Sequence, residues 1–234
     1  MAIRAVLLDC WGTLITYAVA PSPFVGERFL TFCDNPSGLT PEQIESSWSS
    51  LMKYYHGREG EFESPVNALV RALCIRCNLK PRISIDKLVD STIGAQYRQT
   101  MVEGVDRALR ALTKRGVPYA VGSNSIYSSK QTQGYISQVM PTENFKFIVA
   151  SSDLAAKKPS PLFFEMLSKL IGVPEKECCY VGDTFTPDIY GSCMAGYGLS
   201  IWLNPENKEP LSDGVQFESV ENWDEALKVI ERHL

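Results

Sequence analysis

Ile3-Arg4-Ala5-Val6-Leu7-Leu8-Asp9-Cys10-Trp11-Gly12-Thr13-Leu14 is a short apolar run that delivers one carboxylate, Asp9, and breaks at once into Gly-Thr. Such a run, bounded by a turn signal, predicts a buried strand with the acid where that strand leaves its sheet. In open α/β sheets this edge is where ligands bind. A lone Asp at a strand end is more often a turn former or the cap of the next helix, so its meaning depends on the rest of the chain.

Outward from that strand, residues 16–100 read as helices only. Thr40-Pro41-Glu42-Gln43 is a capping box with Pro at the first helical position and opens a helix through about His56; Ser64-Pro65 opens another through about Cys77. Ser84 begins a third, to about Thr100, with Ile85, Leu88, Val89, Ile93 and Tyr97 near helical spacing. An earlier helix is predicted around Phe24 to Cys33. From residue 104 the pattern changes to helices alternating with short strands, which predicts a parallel sheet covered on both faces. The strands are Pro118–Gly122, Phe145–Ala150, Cys178–Val181 and Leu199–Leu203; helices cover Asp106–Arg115, about 126–139, the stretch from Pro161 to Ile171, about 187–194, and the chain from Glu221. Asp9, Ser123 and Asp183 each fall at the carboxyl end of a strand, and Lys158 lies in a loop just after another.

Composition narrows the function classes. The 234 residues are 44% hydrophobic and 21% charged, enough for one domain with an insertion or two modest domains. A net charge of −4 gives no footprint for nucleic acid or an anionic membrane surface, so the expected partner is a small molecule. Seven scattered cysteines argue for a reducing compartment and against a disulfide framework. Cys74-Ile-Arg-Cys77 has the spacing of half a zinc site, but no second pair matches it and the chain has two histidines. Met1 to Ala20 imitates a signal peptide, ending in Ala18-Val19-Ala20; Asp9 and Gly12-Thr13 interrupt its apolar run, and a secreted chain would carry unpaired thiols. No stretch approaches the ~20 apolar residues of a membrane helix. A cytoplasmic protein is expected.

Four stretches taken in order, Asp9-x-Trp11-Gly12-Thr13-Leu14, Val121-Gly122-Ser123-Asn124, Lys158-Pro159-Ser160-Pro161 and Gly182-Asp183-Thr184-x-x-x-Asp188, resemble the four motifs of the haloacid dehalogenase-like superfamily. The resemblance implies a Rossmann-like parallel α/β core from residues 1–15 and 101–234, with an all-helical cap domain at 16–100. It also implies a role for each matched position. Asp9 would be the nucleophile, forming an aspartyl intermediate that water hydrolyses. Ser123 and the backbone beside Asn124 would bind the transferring group, together with Gly12 and Thr13, and Lys158 would neutralise the charge that develops there. Asp9, Asp183 and the backbone carbonyl of Trp11 would hold Mg²⁺, and Asp188 would orient Lys158 or a metal-bound water.

One position departs from the pattern. The phosphatases of this family carry a second Asp two residues after the nucleophile, as general acid and base; here that residue is Trp11. The metal site survives, because that position supplies only its backbone carbonyl. A Mg²⁺-dependent phosphohydrolase acting on a small phosphorylated metabolite with a good leaving group is the leading expectation. A metal-independent 2-haloacid dehalogenase is one alternative, since that branch carries an aromatic residue there, but it also replaces the first acid of the fourth motif, which Asp183 retains. Phosphonatases lack the second Asp too and use a cap lysine, a role for which Lys53 is the candidate. A non-catalytic binding protein with the same fold is the remaining alternative. Lys53, Tyr54, Tyr55, His56 and Arg58, leading into the Gly57-to-Gly60 loop, are candidate specificity residues.

Overall fold

The computed structural model describes residues 2–18, 25–56, 62–92, 98–154, 156–204, 206, 208–210 and 214–234. In chain order the elements are β1 (Ala5–Leu8), β2 (Ile15–Ala18), α1 (Val25–Phe32), β3 (Cys33–Asp34), α2 (Pro41–His56), α3 (Val66–Arg76), β4 (Lys80–Pro81), α4 (Ile85–Ser91) and β5 (Arg98–Met101). There follow α5 (Val105–Lys114), β6 (Tyr119–Ser123), α6 (Ser129–Ile136), β7 (Ile148–Ala150), α7 (Pro161–Ile171), β8 (Cys178–Gly182), α8 (Gly191–Met194), β9 (Leu199–Leu203), β10 (Glu218–Val220) and α9 (Trp223–His233). The chain divides into two compact units: Met1–Thr16, Glu61–Glu63 and Gln99–Leu234 form one, and Tyr17–Gly60 with Ser64–Arg98 the other.

The first unit is built on a six-stranded sheet of order β10-β9-β8-β1-β6-β7, parallel throughout. Every residue of β1, β6, β8 and β9 is buried. That is why these strands read as largely apolar runs: with both faces covered, no polar alternation is needed, and only Ser123 in β6 and Ser200 in β9 interrupt them. From β1 the chain builds β6 and β7 on one side and then β8, β9 and β10 on the other. β1 is therefore the switch point, and the carboxyl ends of β6, β1 and β8 meet around it. On one face α7 lays Phe163, Phe164 and Leu167 against Leu7, Ala120 and Tyr180. Its close approach depends on Gly122, where a Cβ would run into Leu167. The helix α9 starts at Asn222, whose side chain accepts from Glu225 N. Trp223, almost fully buried, donates from Nε1 to the carbonyl of Thr13 at 2.8 Å.

In the second unit α2 opens on the predicted capping box, with Thr40 N donating to Gln43 Oε1 and Gln43 N to Thr40 Oγ1. Phe29, Ile44, Val70, Leu73, Leu88 and Val89 are buried. The reading of residues 16–100 as helices alone needs two corrections. β3 and β4 form an antiparallel ribbon pairing Cys33 with Pro81 and Asp34 with Lys80, and β2 pairs with β5. The predicted helix to Thr100 stops at Ser91, and Arg98–Met101 is extended with only Gln99 buried. Ribbons of two to four residues are too short to show a period, and their pairing comes from a distant segment. Ile93, Tyr97, Arg58 and the Gly57-to-Gly60 loop lie outside the described residues. In the first unit β10 is an additional strand, and only Ile148–Ala150 of the stretch Phe145–Ala150 enters the sheet. All seven cysteines are free. Among the described residues no helix is long and apolar enough to cross a membrane.

Candidate active site

β1 ends by placing Asp9 at the centre of the sheet edge, its amide still donating to Val181 O at 2.9 Å. The chain then turns within a few residues: Leu14 N and Ile15 N both donate to Cys10 O, and Gly12 N donates to Ile15 O. Gly12 has φ +78° and lies so close to Asp183 that a Cβ would overlap the carboxylate. This glycine therefore lets the Asp9 loop and the Asp183 loop meet. Gly12→Ala is expected to lower stability by about 1–3 kcal/mol through the left-handed backbone and the clash, read as a lower midpoint in urea unfolding.

Lys158 is the hub, 3% exposed. Its Nζ donates to Asp9 Oδ1 at 2.6 Å, Asp188 Oδ1 at 2.5 Å and Tyr180 Oη at 2.9 Å. Burial alone would lower this ammonium's pKa, but the Asp188 and Asp9 carboxylates outweigh it and hold the lysine charged. The side chain of Asn124, at the end of β6, is committed to the Lys158 backbone. Its Nδ2 donates to the Lys158 carbonyl at 2.9 Å and its Oδ1 accepts from the Lys158 amide at 2.8 Å. It fastens one loop to another, and both ends of its amide are taken up in doing so. Ser123, fully buried, and Thr13 have hydroxyls without a hydrogen-bond partner among the described residues. Buried hydroxyls are rarely left so, and these two mark positions where a polar ligand would be accepted.

Asp183 follows β8, its carbonyl held by Trp202 Nε1 at 2.9 Å. Asp188 comes from a π-helical turn, Phe185–Tyr190, and its Oδ2 accepts from Thr184 N at 3.0 Å. A Cβ at Gly182 would overlap Asp188, so the Gly-Asp pair read in the sequence makes room for the second acid as well as bearing the first. Asp9, Asp183 and Asp188 each bring a carboxylate oxygen within 4.8 Å of the others. Three acids are crowded at this edge of the sheet, and burial, with the Asp9 carboxylate adding to it, pushes Asp183 up to about 6 and raises Asp188 as well.

A carboxyl raised in the fold binds its proton more tightly folded than unfolded, so its ionisation weakens the fold as pH rises from about 4 through its folded value. For Asp183, discounted for partial exposure, the loss is about 1–2 kcal/mol by pH 7.5. About a quarter of that loss falls between pH 5.5 and pH 7.5, so in EDTA the melting temperature is expected to rise by about 1–2 °C between pH 7.5 and pH 5.5 relative to Asp183→Asn. Parallel profiles for the two proteins would refute this assignment.

Trp11 is partly exposed, its ring 5.7 Å from that of Tyr135, which lies 5.0 Å edge-on to Tyr127. Beyond it, Ser151 at the end of β7 accepts from Ser125 N through Oγ and donates to Glu63. Lys53 is exposed on α2. Tyr180 and Trp223 are the two site residues that sequence reasoning missed. A phenol inside the otherwise apolar Cys178–Val181 was a usable signal, because a buried Tyr hydroxyl needs a partner.

A family model described as haloacid dehalogenase-like hydrolase matches residues 3–192. N-acylneuraminate-9-phosphatase of Mus musculus is 35% identical over 68 residues, 29% of this chain and 27% of that protein. Phosphoglycolate phosphatase of Pseudomonas fluorescens is 30% identical over 115 residues, 47% of this chain and 41% of that protein. The matched stretch thus spans less than half the length of either relative. A solved structure of 2-haloacid dehalogenase from Pseudomonas syringae pv. Tomato superposes with a TM-score of 0.68 at 19% identity, covering 98% of this chain and 99% of the other, a likeness of fold.

Proposed function

The chain belongs to the haloacid dehalogenase-like hydrolases, and from that premise we propose that it is a Mg²⁺-dependent phosphohydrolase working through Asp9 on a small phosphorylated metabolite with a good leaving group. The observation that carries this reading is the cluster of Asp9, Asp183 and Asp188 around a single lysine. Carboxylates crowded this closely need a cation, and an all-oxygen donor set suits a hard one such as Mg²⁺. Asp9, Asp183 and the backbone carbonyl of Trp11 would hold it, with Asp188 behind them; when bound it would offset the charge of the phosphoryl group. The acid at Asp183 favours phosphate chemistry over dehalogenation.

In this reading Asp9, through the oxygen not engaged by Lys158, forms a bond to phosphorus as the bond to the leaving-group oxygen breaks. That oxygen departs with the electron pair. Water then attacks phosphorus, the bond to Asp9 breaks, and phosphate leaves with Asp9 regenerated. Ser123 Oγ and Thr13 Oγ1 donate to phosphoryl oxygens, Gly12 and the backbone of Asn124 shape the same cradle, and Lys158 keeps Asp9 oriented. The indole N–H of Trp11 is far too weak an acid to protonate a leaving group, so groups that leave as stable anions, acyl and aryl phosphates, are favoured over alkyl ones. The mostly helical second unit is read as the cap that sets specificity, and seven free thiols fit a reducing, cytoplasmic setting.

The experiment is phosphate release from acyl, aryl and alkyl phosphates with and without Mg²⁺. Release that needs Mg²⁺ and favours good leaving groups supports the proposal; no release from any of them refutes it. Trp11 and its aromatic neighbours favour one second reading, a 2-haloacid dehalogenase. Halide released from a 2-halo acid in EDTA would establish that chemistry.

A further inference from the structure

Lys158 carries three N–H donors, and all three are accounted for: Asp9 Oδ1, Asp188 Oδ1 and Tyr180 Oη. While that arrangement holds, the buried ammonium has no donor left for a ligand, so it acts through Asp9. Two of its partners are carboxylates, which would attract it from many directions. The third is neutral and rigid. Tyr180 stands on β8 with its ring 5.1 Å from Phe164 and 6.1 Å from Tyr197, edge-on to both. Its hydroxyl proton goes to the carbonyl of Gly122 at 2.8 Å, so toward Lys158 the oxygen can only accept. The same carbonyl belongs to the residue before Ser123, at the end of β6.

We propose that Tyr180 is a positioning residue: its phenol holds one Lys158 N–H toward the sheet and thereby aims the other two at Asp9 and Asp188, fixing the carboxylate orientation in which Asp9 attacks. The kinetic consequence rests on Asp9 being the nucleophile; the clamp on Lys158 does not. A ring that merely fills the core would be replaced by Phe without consequence.

The test is Tyr180→Phe, which keeps the ring and removes one oxygen, in protein labelled with ¹⁵N-lysine. In the wild type a slowly exchanging ammonium resonance, identified by its absence from Lys158→Met, should show cross-relaxation to the Tyr180 hydroxyl proton. In Tyr180→Phe its hydrogen exchange should quicken by about 10-fold, the scale of one hydrogen bond to a charged group. With p-nitrophenyl phosphate the variant should lose about 10-fold in kcat with little change in KM, because orientation and not binding is impaired. Unchanged exchange in the variant overturns the proposal whatever the kinetics, and so does a wild type lacking the cross-relaxation, a result that stands even if the variant does not fold. A wild type with no activity on any phosphate refutes the phosphohydrolase reading, while the resonance still decides the clamp.

Discussion

Asp9→Asn is expected to reduce phosphate release by at least ~10⁴-fold, the scale on which removal of a covalent nucleophile is felt. The argument is geometric. Asp9 is the acid that a central, fully buried strand carries to the switch point of the sheet, and it shares Lys158 with Asp188. The amide that replaces it is nearly isosteric, so Lys158 keeps Asp188 and Tyr180 as acceptors and the fold survives. What is lost, on the proposed phosphohydrolase reading, is the anionic oxygen that would form the bond to phosphorus. Intact-mass measurement gives a second check: wild-type protein incubated with Mg²⁺ and an acyl phosphate should gain a phosphoryl group, because no side chain at position 11 activates the water that removes it, and Asp9→Asn should gain none. Residual activity in the variant within tenfold of wild type would end the nucleophile assignment.

The second large effect has the opposite sign. Trp11→Asp should raise turnover of alkyl phosphates by about 10²-fold, the lower end of what general acid–base catalysis supplies. Aryl phosphates, whose leaving groups need little protonation, should gain much less, so the ratio between the two classes is the diagnostic quantity. The lower end applies because the indole is not idle. It packs against Tyr135, and its loss costs about 1 kcal/mol of aromatic contact near the site. A folded variant with no change in the alkyl-to-aryl ratio would show that the missing acid is not what limits this protein.

Much of this arrangement can be read from the chain because parallel strands buried on both faces announce themselves as unbroken apolar runs. β1 and β8 are the clearest cases, and the polar residue that follows each is conspicuous by contrast, whereas β9 carries a buried Ser200 paired with Ser192. Gly12 and Gly182 could be marked as turn glycines, but not as the spaces into which two carboxylates fit, since that depends on loops more than 170 residues apart for Gly12 and Asp183. Asn124 has the composition of a ligand contact and serves instead as a splice to the Lys158 backbone, a pairing set by the β6 loop meeting a distant one. The β3–β4 ribbon and the early end of α4 escape a periodicity argument because both are decided by tertiary pairing over very few residues.

The bond from Trp223 to the Thr13 carbonyl bears on how the protein is made. It joins positions 210 residues apart, and β1, made before both of its neighbours, must wait for β6 on one side and β8 on the other. At about 5–20 residues per second, translation leaves the opening strand without its final partner for roughly 10–40 s. Until then one edge of β1 and the loop that carries Asp9 stay open in the nascent chain, and the Trp223 contact is the step that closes the turn.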